Sequence, residues 1–210
     1  MVRRPGWLMA AVMIGCLWGT AEVLMDASFA WRGSPARAIV LPTVAVLFLG
    51  MLHGLESKPG TVLAAGAVAA FFKFLNVPFF ACQIFALLLL ALLLEGVLSA
   101  MRPRLRVPKS AKPLLVGLAV WGFFLAFALT MTFLVRYRWW AMGGLSKVAS
   151  YVFLQGVPAA VLSVGTFSLG YKAGYALWQK WNRLLVLRPS YCYAMLAALV
   201  AAATAVSLGL

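Results

Sequence analysis

Seven apolar stretches follow one another along this 210-residue chain, at about 7–30, 38–55, 61–75, 79–101, 114–135, 148–171 and 190–210, parted by short connectors rich in arginine, lysine and proline. A helix rising about 1.5 Å per residue crosses a hydrocarbon layer of about 30 Å in roughly 20 residues. Most of these stretches have that length. The stretch 61–75 is shorter, so it must close near Asn76-Val77-Pro78 or join the next stretch as a broken element. With 65% hydrophobic and only 10% charged residues, and a mean hydropathy of +0.99, the chain is far too apolar for a soluble domain, in which about 25% of residues are charged. The pattern predicts an all-α, polytopic integral membrane helical bundle of six to seven transmembrane helices. Residues 1–189 form a bundle with six spans, and 190–210 an additional C-terminal apolar helix whose crossing of the membrane is left open. Arg3 and Arg4 precede an apolar run that continues to Ala30 and contains Glu22 and Asp26. That run exceeds the roughly 7 to 15 apolar residues of a signal-peptide core, so it reads as a retained first span.

The net charge of +14 does not point to nucleic acid, because the cations fall in short blocks between spans instead of on one folded face. Membrane lipid and the positive-inside rule account for them. Five cations, Arg102, Arg104, Arg106, Lys109 and Lys112, share one connector with Pro103, Pro108 and Pro113, which break any helix there. A cytoplasmic N-terminus places twelve basic residues inside and five outside, which favours that orientation in an inner (cytoplasmic) membrane. Trp31, Trp139 and Trp140 then mark the outer interface, and Trp178 and Trp181 the inner one on an amphipathic extension of the sixth span.

All four acidic residues, Glu22, Asp26, Glu56 and Glu95, lie inside or at the ends of spans. A carboxylate at the bilayer centre costs roughly 2.5 to 3.5 kcal/mol even on lenient scales, so each needs a cavity, a partner charge or a solute. Glu22 and Asp26 are four residues apart and share one helix face toward the outer leaflet. By the same count Lys73 and Asn76 close the third span at its outer end and Gln83 opens the fourth there. The loop before the sixth span brings Trp139 and Trp140, and Tyr151 and Gln155 follow within it. Together with Trp31 these groups form a candidate substrate site for a small polar, partly aromatic solute, with carboxylates and amides fixing orientation and indoles stacking. The alternative is structural: Lys73 bridges Glu22 or Asp26, and the tryptophans form a lipid belt.

At the inner end, His53 and Glu56 are three residues apart, and Glu95 nears the end of the fourth span. One histidine without a second ligand of its kind makes a thin metal site, so capping or solvated groups beside Lys58 are expected, and no metal or other cofactor. Cys16, Cys82 and Cys192 are scattered without metal or redox spacing and read as reduced packing residues.

Ala11, Gly15 and Gly19 form a ridge without side-chain bulk on the first span, and Gly170 and Gly174 repeat the spacing at the end of the sixth. Such ridges pack helices closely, either within the chain or against a partner. The stretch Gly15-Cys-Leu-Trp-Gly-Thr-Ala-Glu22, the loop after it, Gly50-Met-Leu-His53, and Lys58-Pro-Gly60 leading into a small-residue span resemble the substrate-binding S components of energy-coupling factor transporters. The resemblance extends over roughly residues 7–170 and rests on layout. It implies about six helices, vitamin uptake with the solute bound near the outer surface under a mobile first loop (here Ala30 to Arg37), and a ridge at Ala11, Gly15 and Gly19 that docks a transmembrane coupling subunit. Glycine replaces alanine in that ridge, and a seventh apolar segment follows.

The leading expectation is therefore a substrate-capture subunit of a membrane transporter for a small cofactor or vitamin precursor, with no catalysis of its own. No G-x-x-x-x-G-K-[ST] motif occurs, so ATP hydrolysis must come from partner ATPases. A structural or assembly subunit is the alternative. A lipid-modifying enzyme using Glu22, Asp26 or His53 lacks a nucleophile elbow, an H-E-x-x-H motif or paired acidic metal ligands.

Overall fold

The fold was obtained as a computed structural model that describes residues 7–30, 36–75, 81–101, 108 and 111–184. Its helices are α1 (Trp7–Ala30), α2 (Ala36–Leu55), α3 (Thr61–Phe72), α4 (Ala81–Ala100), α5 (Ala111–Leu129), a short α6 (Arg138–Ala141), α7 (Gly144–Tyr151) and α8 (Val157–Leu184). Five segments are long and apolar enough to cross a membrane, α7 and α8 counting as one continuous span, and α3 is a shorter apolar helix. The expected all-α membrane bundle is thus present. The segment 190–210, expected as an additional helix, lies outside the described residues.

Helices α1 to α5 are apolar on all sides, as elements that face lipid outward and one another inward must be, whereas α7 carries a polar face. The helices close into a ring in which α1 touches α2 and α3, α3 touches α4, α4 touches α5, α5 touches α8, and α8 returns to α2. Trp18, Leu49, Leu52, Leu94 and Phe124 fill its interior and are fully buried.

Small residues set how closely neighbours approach. A Cβ added at Gly15 would lie 2.7 Å from the Ala65 carbonyl oxygen and 2.8 Å from Val68 Cβ, and one at Gly19 would strike the Phe72 ring at 2.7 Å. Ala11 is completely buried beside them. This corrects the docking expectation: the ridge of Ala11, Gly15 and Gly19 packs inside the chain against α3 and offers no free surface to a coupling subunit. Gly170 and Gly174 meet the α2 backbone at Leu47 and Met51 in the same way.

Two π turns interrupt the outer helices. The first, Thr130–Leu134, extends α5, with the Val135 N–H donating to the Thr130 carbonyl at 2.9 Å. The second, Val152–Gly156, joins α7 to α8. Its cause is local: Pro158 has no N–H, so the Leu154 carbonyl loses its usual donor four residues on, and the chain widens by a residue.

The twelve residues of α3 cover about 18 Å, less than the roughly 30 Å of a hydrocarbon layer, so its end groups call for polar partners inside the protein. At its start the Glu95 carboxylate of α4 accepts the Gly60 N–H at 2.9 Å and the Val62 N–H at 3.0 Å, and is braced by the Ser99 hydroxyl at 2.7 Å. Gly60 takes the left-handed conformation, φ 81°, that this entry turn requires. Capping, one of the roles expected for this end, thus falls to Glu95. Glu95→Ala should lower stability by about 2 kcal/mol, because two amide donors lose a charged acceptor. Thermal unfolding in detergent measures this, and an unchanged midpoint would mean that water replaces the cap without cost. His53, at the end of α2, packs against the rings of Phe167 and Tyr171, with centroids 6.3 and 6.0 Å away. Among the described residues, no group of three His, Cys, Asp or Glu side chains could hold a metal ion.

Candidate functional site

The other end of α3 carries the charge cluster. Past Phe72 the chain tightens into one 3₁₀ turn, Lys73–Leu75, which aims Lys73 at α1. Its ammonium lies 2.6 Å from Asp26 Oδ2 and 3.0 Å from Glu22 Oε2. The i, i+4 spacing of the two carboxylates lets one lysine reach both. Arg37, in the first turn of α2, contacts Asp26 Oδ1 at 2.8 Å, and the Trp18 indole N–H donates to Glu22 Oε1 at 3.1 Å. Glu22, Asp26 and Lys73 are buried, whereas the Arg37 side chain is 35% exposed. Two cations thus balance two carboxylates. Lys73 also sits where a helix C-terminus favours positive charge.

The structural bridge weighed from sequence is therefore formed, but it is not sealed. Beside it opens a pocket of about 110 Å³ in the middle of the ring. Every spanning segment, and the end of the shorter α3, supplies part of its wall: Glu22 from α1, Arg37 and Pro42 from α2, Lys73 after α3, Gln83 and Leu87 from α4, Phe123 from α5, and Tyr151 at the end of α7. Most of the lining is apolar. Two polar features stand out against it. Gln83 Oε1 is buried and accepts no hydrogen bond among the described residues. Pro42 lacks an N–H, so the carbonyl of Ala38, a residue also in the wall, loses its usual donor four residues on.

Of the residues expected at the site, Glu22, Asp26, Lys73, Gln83 and Tyr151 come together, Asp26 through its ion pairs. Trp140 does not reach the pocket. It is buried one layer behind, its ring edge-on to Tyr151 at 4.9 Å and to Phe127 at 5.9 Å, with the Lys147 ammonium 5.7 Å from its ring centre. Its role is to hold Tyr151, which also packs on Phe124 at 5.1 Å. Gln155 lies in the second π turn and does not line the pocket either. Trp31, Asn76 and the Trp139 side chain lie outside the described residues. Sequence reasoning missed Trp18 and Arg37 as site members. The first had a signal, since an indole four residues before a buried carboxylate shares its helix face. The second was read only as part of the first loop.

Compared with protein families, curated proteins and solved structures, the chain matches none. What the site does must be reasoned from its chemistry. It is a small, largely apolar chamber with a neutralised ionic wall. The larger groove between α5 and α8, about 650 Å³ and walled by Leu118, Trp121, Phe153 and Val161, has no charged lining residue and suits lipid chains.

Proposed function

We propose that this chain is the solute-capture subunit of a membrane transporter, binding a compact solute, or one end of a cofactor precursor, in the pocket between Glu22, Lys73, Gln83 and Tyr151. The observation that carries this reading is that all five spanning segments and the end of the shorter α3 converge on one chamber beside a buried ionic cluster. A brace alone needs no void, and a void with unmatched polar atoms costs stability that a ligand returns. The layout shared with energy-coupling factor S components supports the same reading, as does the orientation that puts the pocket toward the outer face of a cytoplasmic membrane. Energy would come from partner ATPases, and the coupling partner would dock on a face other than the α1 ridge. The chamber is well below the roughly 300 to 1,000 Å³ of sites that enclose drug-sized ligands, so a vitamin-sized molecule would bury only one end.

The protein purified in mild detergent should therefore release a small molecule on denaturation in near-stoichiometric amount. Gln83→Leu should retain at least about tenfold less, a loss of one buried polar contact, while melting at the same temperature. A preparation that holds nothing and takes up nothing from a vitamin and cofactor panel would overturn the proposal. If that empty protein copurified with an equimolar membrane partner, it would be an assembly subunit instead.

A further inference from the structure

We infer that the group this pocket buries is uncharged and carries an N–H or O–H donor, as a primary amide does. The inference rests on the solute-capture reading and specifies the chemistry of its ligand.

Charge decides the first half. Lys73 is shared by Glu22 and Asp26 at 3.0 and 2.6 Å, and Arg37 holds the second oxygen of Asp26 at 2.8 Å. With two charges of each sign already matched, no countercharge is left for an incoming ion. An anion or a cation would leave water for a mainly apolar wall without a partner, or would have to pull one of these pairs apart. Both cost more than a single new contact returns. A neutral ligand faces neither penalty.

An unmatched atom decides the second half. Gln83 Oε1, buried and without a donor among the described residues, is an acceptor. Nearby in the wall, Pro42 removes the usual i+4 donor of Ala38. A buried acceptor with no donor of its own calls for one from the ligand. Gln83 is an amide and not a carboxylate, so it recognises that donor without asking for positive charge. Size sets the limit. The chamber holds about 110 Å³, and since a cavity of about 150 Å³ accepts benzene, the buried group has no more than about six non-hydrogen atoms.

The test uses three probes of one shape and different charge: isobutyramide, isobutyrate and isobutyramidinium, titrated by NMR against the full chain in lipid nanodiscs at neutral pH. Isobutyramide should bind at least about tenfold more tightly than either ion, a modest share of the cost of burying an unpartnered charge. Gln83→Glu, which keeps the side-chain shape and adds a carboxylate, should reverse the order in favour of isobutyramidinium. Equal or tighter binding of either ion to the unaltered protein would overturn the charge rule while leaving solute capture standing. Failure of all three probes to bind would also overturn it, even if a larger cofactor is retained. Only an empty pocket against both the probes and the cofactor panel would remove the capture reading as well. Because the first comparison uses the unaltered protein, misfolding of the variant could not obscure it.

Discussion

Replacing Lys73 by methionine is expected to lower the stability of the folded protein by about 3 to 5 kcal/mol, the cost of leaving buried carboxylates without their partner. The lysine is 2% exposed and makes the shortest ionic contact in the site, to Asp26 at 2.6 Å, and a second to Glu22 at 3.0 Å. Methionine fills the same space, so packing is kept and charge alone is removed. Arg37 would remain on Asp26 and the Trp18 N–H on Glu22, which sets the loss below that of stripping both carboxylates bare. If charge is the cause, Glu22→Gln placed on Lys73→Met should recover part of the loss, because the carboxylate left without a cation is gone. Thermal or denaturant unfolding of the three proteins in the same detergent measures this. A single variant within about 1 kcal/mol of the parent would mean that the cluster is weakly coupled, as exposed pairs are.

That cluster was partly legible before any coordinates, and the reason is scarcity. In a chain with four acidic residues, two carboxylates on one face of α1 and a lysine at the end of the third apolar stretch have few other partners at the same depth. Arg37 was harder to place, because the partner of a residue in the first turn of α2 depends on how α2 approaches α1. The spans themselves were clear. The sixth was read as 148–171 with an extension, and it runs instead from Gly144 through two helices and a π turn to Leu184. Pro158 marks that interruption in the sequence, but only hydrogen-bond bookkeeping turns the mark into a π turn.

The pocket was less legible than the charges. Four of its walls were expected, from the first, third, fourth and sixth spans, whereas α2 and α5 contribute through Pro42 and Phe123, residues that look no different from their lipid-facing neighbours. Helices apolar on every side carry no record of which side faces inward. Trp140 shows the opposite error. An aromatic near a membrane surface reads as a belt or a stacking platform, yet here it is 7% exposed and supports Tyr151. The α1 ridge was ambiguous for a similar reason, since small residues four apart mark a close approach without naming the partner. The partner proved to be α3, and the same α1–α3 contact brings Lys73 within reach of Glu22 and Asp26. Packing and charge therefore specify one register. The glycines let the helices meet, and the ion pairs penalise any slip along the contact.

Gly174→Ala should destabilise the bundle by about 3 kcal/mol, at the upper end of the usual cost of overpacking. The added methyl would fall on the Met51 carbonyl oxygen of α2, and the same change at Gly170 on that of Leu47. A side chain could rotate away from such an intrusion, but a helix backbone cannot. The neighbouring positions close off the other escape. A Cβ at Gly50 would lie 2.8 Å from the Phe167 carbonyl oxygen, and one at Gly54 would strike the Tyr171 carbonyl, so α2 and α8 approach backbone to backbone along the contact and must separate together. Gly165 lies on the same helix with nothing within 4 Å of where a Cβ would stand. Gly165→Ala should therefore raise stability by up to about 1 kcal/mol through helix propensity alone. Opposite signs from one substitution at two sites on α8 isolate the packing term, and unfolding midpoints in one detergent read both. Equal effects at Gly165 and Gly174 would mean that α8 does not approach α2 this closely. The separation forced at Gly174 acts on α8, which touches α2 and α5, and both helices line the pocket. Gly174→Ala should thus weaken solute retention as well, although it touches no residue of the pocket.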